Sequence, residues 1–358
     1  MTDHHRIAIA GIGTVAEVHA LSIRDLNRAT LVAGSCRTES RGREFAAEFD
    51  CEWYGDTGRM LDEADPGVLI VCTPSGAHSE PTLAAAARNV DVLCEKPLEI
   101  TADRIDRMVA AAEDAGITLG GVFQQRFDPL FRRVREAADA GRFGQLSAAN
   151  AYVPWWRDDD YYDGGWQGTR DLDGGELLNQ AIHGIDLVQW LAGATMDLDR
   201  DENPIAEVFA YTDRLAHAED SIAIEDTAVA SVRYRDGSVG QILGATSMYP
   251  GSSQRIQLGG REGTAEMLAD ELVTWEFREE REDDERIRRE FGSDRDTGDG
   301  EADVAMNYAN HRRNIKRFID GLDDEEPYPL DAVEARKAVD IIEAIYESAE
   351  RSEPVRLL

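Results

Sequence analysis

Two rhythms divide the chain. Between residues 6 and 123, short apolar runs alternate with segments whose apolar positions recur every three or four residues, as one buried helix face requires. The runs at 6–10 (RIAIA), 30–36, 67–72 (GVLIVC), 92–94 (VLC) and 118–123 carry few polar residues, which suits strands covered on both faces. A further short strand is expected at 52–54, and helices at 15–26, 39–49, 57–63, 78–88 and 101–115. Such alternation predicts a parallel, doubly wound sheet. Beyond residue 124 the rhythm changes. Runs at 145–152, 227–234, 239–246 and 255–258 alternate apolar with polar, as antiparallel strands with one wet face do. Asp236-Gly237 marks a hairpin. Helices are expected at 130–140, 176–191, 304–321 and 330–349. Residues 154–175 have no period, and the charge-rich stretch 278–303 predicts a solvated loop or edge. The fold class expected is α/β followed by α+β, divided into domains 1–123 and 124–358.

Composition changes the picture in one respect. The formal charge is -33, from 71 acidic and 38 basic residues, and lysine occurs only at Lys96, Lys316 and Lys337. A surface so acidic repels nucleic acid and anionic membranes, so neither is expected as a partner. Acid excess with almost no lysine resembles proteins of salt-loaded cytoplasm, such as those of haloarchaea. No apolar stretch reaches the roughly 18 residues that span a bilayer, and the N-terminus lacks a signal-peptide core, so a cytoplasmic location is expected. Cys36, Cys51, Cys72 and Cys94 form no CxxC pair and read as reduced thiols.

The candidate chemistry sits where strands end. Gly11-Ile12-Gly13-Thr14-Val15-Ala16 follows the first strand and opens a helix. Gly11 permits a tight turn, Gly13 lets backbone approach a pyrophosphate, and Ala16 allows close packing; the amides of Thr14 and Val15 then face phosphates. The second strand ends at Ser35 and Cys36 without the acidic residue that bonds ribose hydroxyls in NAD sites. Arg37 follows, with Thr38 and Arg41 nearby, which favours NADP over NAD. Thr73 and Pro74 end the fourth strand on the expected nicotinamide side, and His78 opens the next helix as a cofactor contact or a structural ring. The fifth strand stops at Glu95-Lys96-Pro97, because proline removes a ladder donor and restricts the residue before it. Lys96 is thereby held at the carboxyl end of a strand, where open α/β sheets place ligands. Lysine differs from arginine in shifting its pKa readily, so a movable proton is a reason for its presence here.

In the second half, Arg126 is a substrate contact, a cofactor-side anchor or a hinge ion pair. Trp155, Tyr161, Tyr162 and Trp166 can stack on sugar faces, and Arg157 and Arg170 can meet anionic groups. Asn179, His183 and Asp186 fall at i, i+4 and i+7, one face of an α-helix otherwise built for burial. Ligand-type residues do not cluster at metal spacings, so no metal is expected.

GIGTVA, VCTPSGAH, CEKPLEIT, QQRFDPLF, GGELLNQAIHGIDL and EARKAVDIIEAIYES, at these spacings, resemble the Gfo/Idh/MocA family, named for glucose–fructose oxidoreductase and inositol dehydrogenase. The resemblance covers nearly the whole chain. It implies a Rossmann domain, then a substrate-binding and oligomerisation domain with a large open antiparallel sheet, a cofactor between the domains, and hydride transfer at a sugar-like carbon. It makes Lys96 and Glu95 part of the nicotinamide end and His183 the active-site histidine. It implies a homodimer or homotetramer through the open sheet face. His311 sits on a helix that the family often places beside the pocket. Many members carry Asp where this chain has Asn179, and an amide cannot hold a proton as a carboxylate does. The NQAIHGID wording resembles members acting on UDP-sugar uronates, in which Asn179 would bond substrate. The expected function is an NAD(P)-dependent dehydrogenase of a sugar, sugar acid or cyclitol. The alternatives are a non-catalytic dinucleotide-binding regulator and an NADP-dependent reductase of small carbonyls or dihydrodiols.

The charge balance makes a prediction of its own. Self-repulsion among the acidic groups is screened over about 3 Å in molar salt. The unfolding midpoint is therefore expected to rise with KCl concentration, and a midpoint indifferent to salt removes the halophilic reading.

Overall fold

The structure, a computed structural model, describes residues 4–163, 165–218, 221–292, 308–323 and 326–357. Two compact units gather Met1–Phe127 with Met306–Arg336, and Asp128–Ala305 with Lys337–Leu358.

In the first unit strand and helix alternate as the sequence requires: β1 (His5–Ala10), α1 (Thr14–Arg24), β2 (Ala29–Ser35), α2 (Glu39–Phe49), β3 (Glu52–Tyr54), α3 (Thr57–Ala64), β4 (Val68–Val71), α4 (Ser79–Ala86), β5 (Asp91–Cys94), α5 (Ala102–Ala115) and β6 (Leu119–Gly121). The six strands are parallel, in the order β3-β2-β1-β4-β5-β6. The order reverses between β1 and β4, so a crevice opens beyond their carboxyl ends, where ligands of such sheets lie. β4 and the last four residues of β1 are buried throughout, as strands covered on both faces must be. Cys72 and Cys94, at the ends of β4 and β5, are buried free thiols, and burial pushes both well up.

The second unit opens with α6 (Pro129–Asp139), whose first turn is capped by Asp128. Then come β7 (Leu146–Pro154), the single turn α7 (Asp159–Tyr162), a π turn (Leu177–Ala181) and α8 (Ile182–Gly193). Strands β8 (Ile205–Asp213), β9 (Thr227–Tyr234), β10 (Val239–Ala245), β11 (Arg255–Gly260), β12 (Gly263–Leu268) and β13 (Glu271–Phe277) follow, then α9 (Asp284–Phe291). The helix α10 (Tyr308–Asp323) belongs to the first unit, and the division falls inside α11 (Ala332–Arg351), ahead of a last strand β14 (Val355–Arg356). The eight-stranded sheet runs β13-β12-β11-β7-β10-β9-β8-β14, antiparallel except for β7 with β10. The alternation in β9 is strict: Ala228, Ala230, Val232 and Tyr234 are buried while Val229, Ser231 and Arg233 face solvent. α8 covers β7 and β11 so closely that a Cβ at Gly184 would stand 2.7 Å from Val153. Among the described residues no helix is long and apolar enough to cross a membrane.

One expectation needs correction. The charge-rich stretch is not all loop, because Asp284–Phe291 is helical. Acidic residues lie in its first turn, arginines in its last, and an Arg286–Glu290 pair one turn apart supports it. Residues 293–303 of that stretch lie outside the described residues, as do 304–307 of the helix expected at 304–321.

The anchor of α9 is a buried ion pair. Arg142 places two nitrogens 2.6 and 2.7 Å from the Asp284 carboxylate, which also accepts from Trp275 Nε1 and the Arg281 amide, both at 2.7 Å. Burial pulls that carboxyl upward, but these four donors outweigh it and hold it well below the usual range. Arg142→Leu would strand the charge, so the unfolding free energy should fall by about 3–5 kcal/mol. Chemical denaturation at constant high salt measures this; a change below about 1 kcal/mol would show the pair to be dispensable.

Candidate active site

Gly11 has φ of +91°, and a Cβ there would lie 2.6 Å from the backbone of Cys72 and Thr73. Only glycine lets β1 turn so near the end of β4. At Gly13, by contrast, a Cβ would meet nothing within 4 Å, and no side chain caps α1. An uncapped helix start behind open backbone fits a dinucleotide pyrophosphate, with Thr14, Val15 and Ala16 forming the first turn. Ser35 is buried and its hydroxyl pairs with Thr57 at 2.9 Å, so β2 ends without an acid. Arg37, Thr38 and Arg41 are exposed just beyond it. Thr73 bonds the Ala77 carbonyl at 2.9 Å beside Pro74. His78 is buried, with its ring nitrogens 2.8 Å from the Thr73 and Pro97 carbonyls, so it ties the ends of β4 and β5 together.

Lys96 follows β5 and is half-buried. Its amide donates to Glu95 Oε2 at 3.1 Å. Glu95, expected among the cofactor contacts, turns its carboxylate inward: Oε1 lies 2.8 Å from His19 Nε2 and 3.7 Å from His311 Nε2. All three residues are buried, and the two imidazoles meet edge to face at 5.2 Å. Burial alone would raise the Glu95 carboxyl, but the two imidazoles overcome it and hold it well below the usual range. Burial lowers His19, against the pull of Glu95. Sequence spacing pointed to no metal cluster, yet folding brings these three ligand-type side chains within 4.8 Å of one another. The His19–Glu95 separation is that of a hydrogen bond, shorter than the roughly 3.3 Å between two ligands on a tetrahedral zinc ion. Arg126 is buried and pairs with Glu334 at 2.8 Å, which is the ion pair weighed against a substrate contact.

In the second unit the α-helical spacing assumed for Asn179 and His183 is not kept, because Leu177–Ala181 is a π turn. His183, in the first turn of α8, is half-buried, while Asp186 one turn on is buried. Asn179 donates through Nδ2 to Asp173 and accepts from Gln180 at 3.1 Å. Gln180 also donates to the Tyr161 hydroxyl at 2.9 Å and accepts from Arg157 at 3.2 Å. The Arg157 guanidinium lies 5.6 Å from the Trp155 ring and 5.4 Å from that of Tyr161. Of the aromatics expected to stack on substrate, Trp155 and Tyr162 are buried, whereas Tyr161 and Trp166 are half-exposed. Arg170 is exposed, 3.4 Å from the Ala223 carbonyl.

Sequence reasoning did not anticipate the carboxyls around this turn. Glu176 and Glu225 are buried, and burial raises both. Asp226, held by the amides of Leu215, Ala216 and His217 at 2.9–3.0 Å, is drawn down to about 2 against the upward pull of burial. Glu225 accepts from the Leu177 amide at 3.1 Å and the Tyr346 hydroxyl at 2.8 Å, so it braces the π turn.

Three comparisons bear on this chain. Residues 5–121 match the profile described as oxidoreductase family, NAD-binding Rossmann fold, and residues 135–357 that described as oxidoreductase family, C-terminal alpha/beta domain. The myo-inositol 2-dehydrogenase of Thermotoga maritima is 29% identical over 72% of this chain and 73% of its own. The D-xylose 1-dehydrogenase (NADP(+)) 2 of Haloferax volcanii is 25% identical over 98% of each. The crystal structure of the WlbA dehydrogenase of Bordetella pertussis, in complex with NADH and UDP-GlcNAcA, superposes with a TM-score of 0.88 at 28% identity, over 99% of this chain and 98% of that one.

Burial lifts Glu225 to about 7, so the folded state keeps a proton that the unfolded chain releases near pH 4.5. Its contribution to stability is complete below the unfolded pKa, fades as pH rises to about 7 and is level above. Glu225→Gln should erase this slope, leaving the wild type ~2–4 kcal/mol less stable relative to the variant at pH 8 than at pH 4. Unfolding curves at fixed salt across that range test it; parallel pH profiles for the two proteins would show that Glu225 titrates normally.

Proposed function

This chain belongs to the oxidoreductase family whose NAD-binding Rossmann and C-terminal alpha/beta profiles it matches, and we propose that it is an NAD(P)-dependent dehydrogenase of a secondary alcohol on a sugar, sugar acid or cyclitol. The observation that carries the reading is Lys96. It is one of three lysines in an arginine-rich chain, and it stands at the carboxyl end of β5 with its amide held by Glu95. The bound nicotinamide supplies a hydride acceptor. Lys96, as an ammonium, polarises the substrate oxygen and stabilises the alkoxide that develops there. His183 accepts the hydroxyl proton, as a half-exposed imidazole at the start of a buried helix can. Asn179, fixed by Asp173, orients the substrate and does not act as the base.

NADP is the favoured dinucleotide. The support is the missing acid at the end of β2 and exposed Arg37 and Arg41, which suit a 2′-phosphate. The Haloferax relative named for NADP points the same way, and its source accords with a salt-adapted, cytoplasmic enzyme. Among substrates, nucleotide-sugar uronates lead. Their support is the likeness to the Bordetella dehydrogenase and the half-buried Arg157, whose charge suits a carboxylate. Trp166 and Arg170 complete the proposed substrate contacts. The outer face of the eight-stranded sheet exposes Tyr211, Val229 and Val239, and we assign it to subunit pairing. The sequence division at 123/124 corresponds in this reading to cofactor binding before it and substrate binding after it.

The test is a high-salt screen of uronates, nucleotide-sugar uronates, neutral sugars and cyclitols with NAD and NADP side by side. Oxidation of one class with reduction of dinucleotide is expected. Lys96→Met should keep dinucleotide affinity while turnover falls by about 10²-fold or more. Full activity in that variant refutes the role of Lys96. Tight dinucleotide binding with no turnover on any substrate favours the regulator, and turnover only on small carbonyls or dihydrodiols favours that reductase.

A further inference from the structure

We propose that Glu95 is a positioning residue for Lys96: the imidazoles of His19 and His311 face one carboxylate oxygen, and the other oxygen fixes the Lys96 amide. The inference rests on the reading of Lys96 as the group at the substrate oxygen.

A buried carboxylate loses its hydration, and a well-packed apolar residue in its place commonly gives an equal or more stable fold. Glu95 is only 6% exposed and nevertheless ionised. Keeping it so takes two further buried polar rings from remote parts of the chain. His19 comes from the middle of α1, and His311 from α10, which packs against α1. Stability alone does not call for this cluster, so a geometric task is the better reason for it.

The His19 and His311 rings set the Glu95 carboxylate from one side, and its Oε2 holds the Lys96 amide at 3.1 Å. One residue on, the Pro97 carbonyl lies 2.8 Å from buried His78. The backbone of Lys96 is thus gripped on both flanks by side chains that are themselves immobilised. A lysine side chain has four rotatable bonds, so its tip is placed only as well as its Cα is. A misplacement of about 1 Å at a reacting centre can cost 10²-fold in rate. Glu95 acts in this account through Lys96 and touches neither substrate nor dinucleotide.

The experiment compares His19→Leu, His19→Gln, Glu95→Gln and Lys96→Met in high salt, measuring kcat, KM, dinucleotide affinity by fluorescence titration, and thermal unfolding. Leucine removes the donor to Glu95, whereas glutamine restores an N–H. His19→Leu should lower kcat by ~10–100-fold while dinucleotide affinity stays within about threefold, and His19→Gln should recover most of the loss. If His19→Leu shows no cooperative unfolding, Glu95→Gln decides, since it keeps the side-chain volume; it should show the same kcat-selective loss. Wild-type kcat in the folded variants, or a loss confined to dinucleotide affinity, overturns the proposal. The second of these outcomes would return Glu95 to the cofactor contacts. Lys96→Met separates the two levels of the argument. If it is inert while His19→Leu is unimpaired, only the positioning role falls. If it turns over normally, the role of Lys96 falls and the positioning role with it.

Discussion

A carboxylate can remain ionised without water only if hydrogen-bond donors replace its hydration. That constraint, met at Glu95, organises the first unit. A parallel sheet gathers the carboxyl ends of its strands on one edge, and here that edge carries Gly11 after β1, Thr73 and Pro74 after β4, and Glu95 and Lys96 after β5. No strand end can supply two imidazoles. One comes from α1, and the other from α10. The first compact unit is accordingly made of two separate pieces of chain, and the later piece also brings Glu334 to Arg126 and the Tyr328 hydroxyl to the Gly121 carbonyl. A unit so closed depends on chain some two hundred residues downstream of the crevice it builds.

The parallel half was legible because its information is local. Runs such as RIAIA and GVLIVC have only one comfortable place, and the glycines of GIGTVA declare a turn whose closeness is seen at Gly11, where a Cβ would collide with backbone. The antiparallel half was legible through alternation, as in β9. What escaped was whatever depends on distant partners. His19 is one polar position on an amphipathic helix, and His311 stands on a helix expected beside the pocket; neither spacing nor composition connects them to residue 95. Arg142 and Asp284 are equally invisible as a pair, and without that pair the stretch around α9 reads as solvated charge. The aromatic-rich segment looks from sequence like a surface for stacking, yet Trp155 and Tyr162 pack inward, because a segment without period can still fill a core.

The π turn is the clearest limit on periodicity. Leu177, Leu178 and Ile182 satisfy an α-helical stripe well enough to hide one wider turn. The turn exists because tertiary partners hold it: Glu225 accepts the Leu177 amide, and Tyr346, from α11, holds Glu225 and the Gly174 carbonyl at 2.8 Å each. Such turns appear often at functional sites, where one extra residue re-aims a side chain without breaking the helix. Here Asn179 lies within the turn. Its amide is bonded to the Asp173 carboxylate. An amide fixed by a carboxylate offers a defined acceptor and a defined donor but no labile proton, which in the proposed reaction leaves proton transfer to the imidazole at 183.

Use of cations in the chain follows the same logic. Where a permanent buried charge is wanted, the chain uses arginine, whose planar fork grips a carboxylate at two points and does not give up its proton, as Arg142 grips Asp284. On the surface arginine again predominates, in pairs one helical turn apart such as Arg43 with Glu39 and Arg59 with Glu63. Lys316 makes the same kind of exposed pair, with Asp320, and Lys337 contributes its carbonyl to Asn203. The exposed pair of Lys316 asks for nothing that arginine lacks. Position 96 differs. A forked guanidinium would require space and two acceptors at the strand end, whereas an ammonium on a fixed backbone presents a compact charge to a single oxygen. On the proposed role of Lys96, an arginine-rich chain that holds the backbone of this one lysine with a buried His–Glu–His cluster is constrained there by the geometry of a point charge.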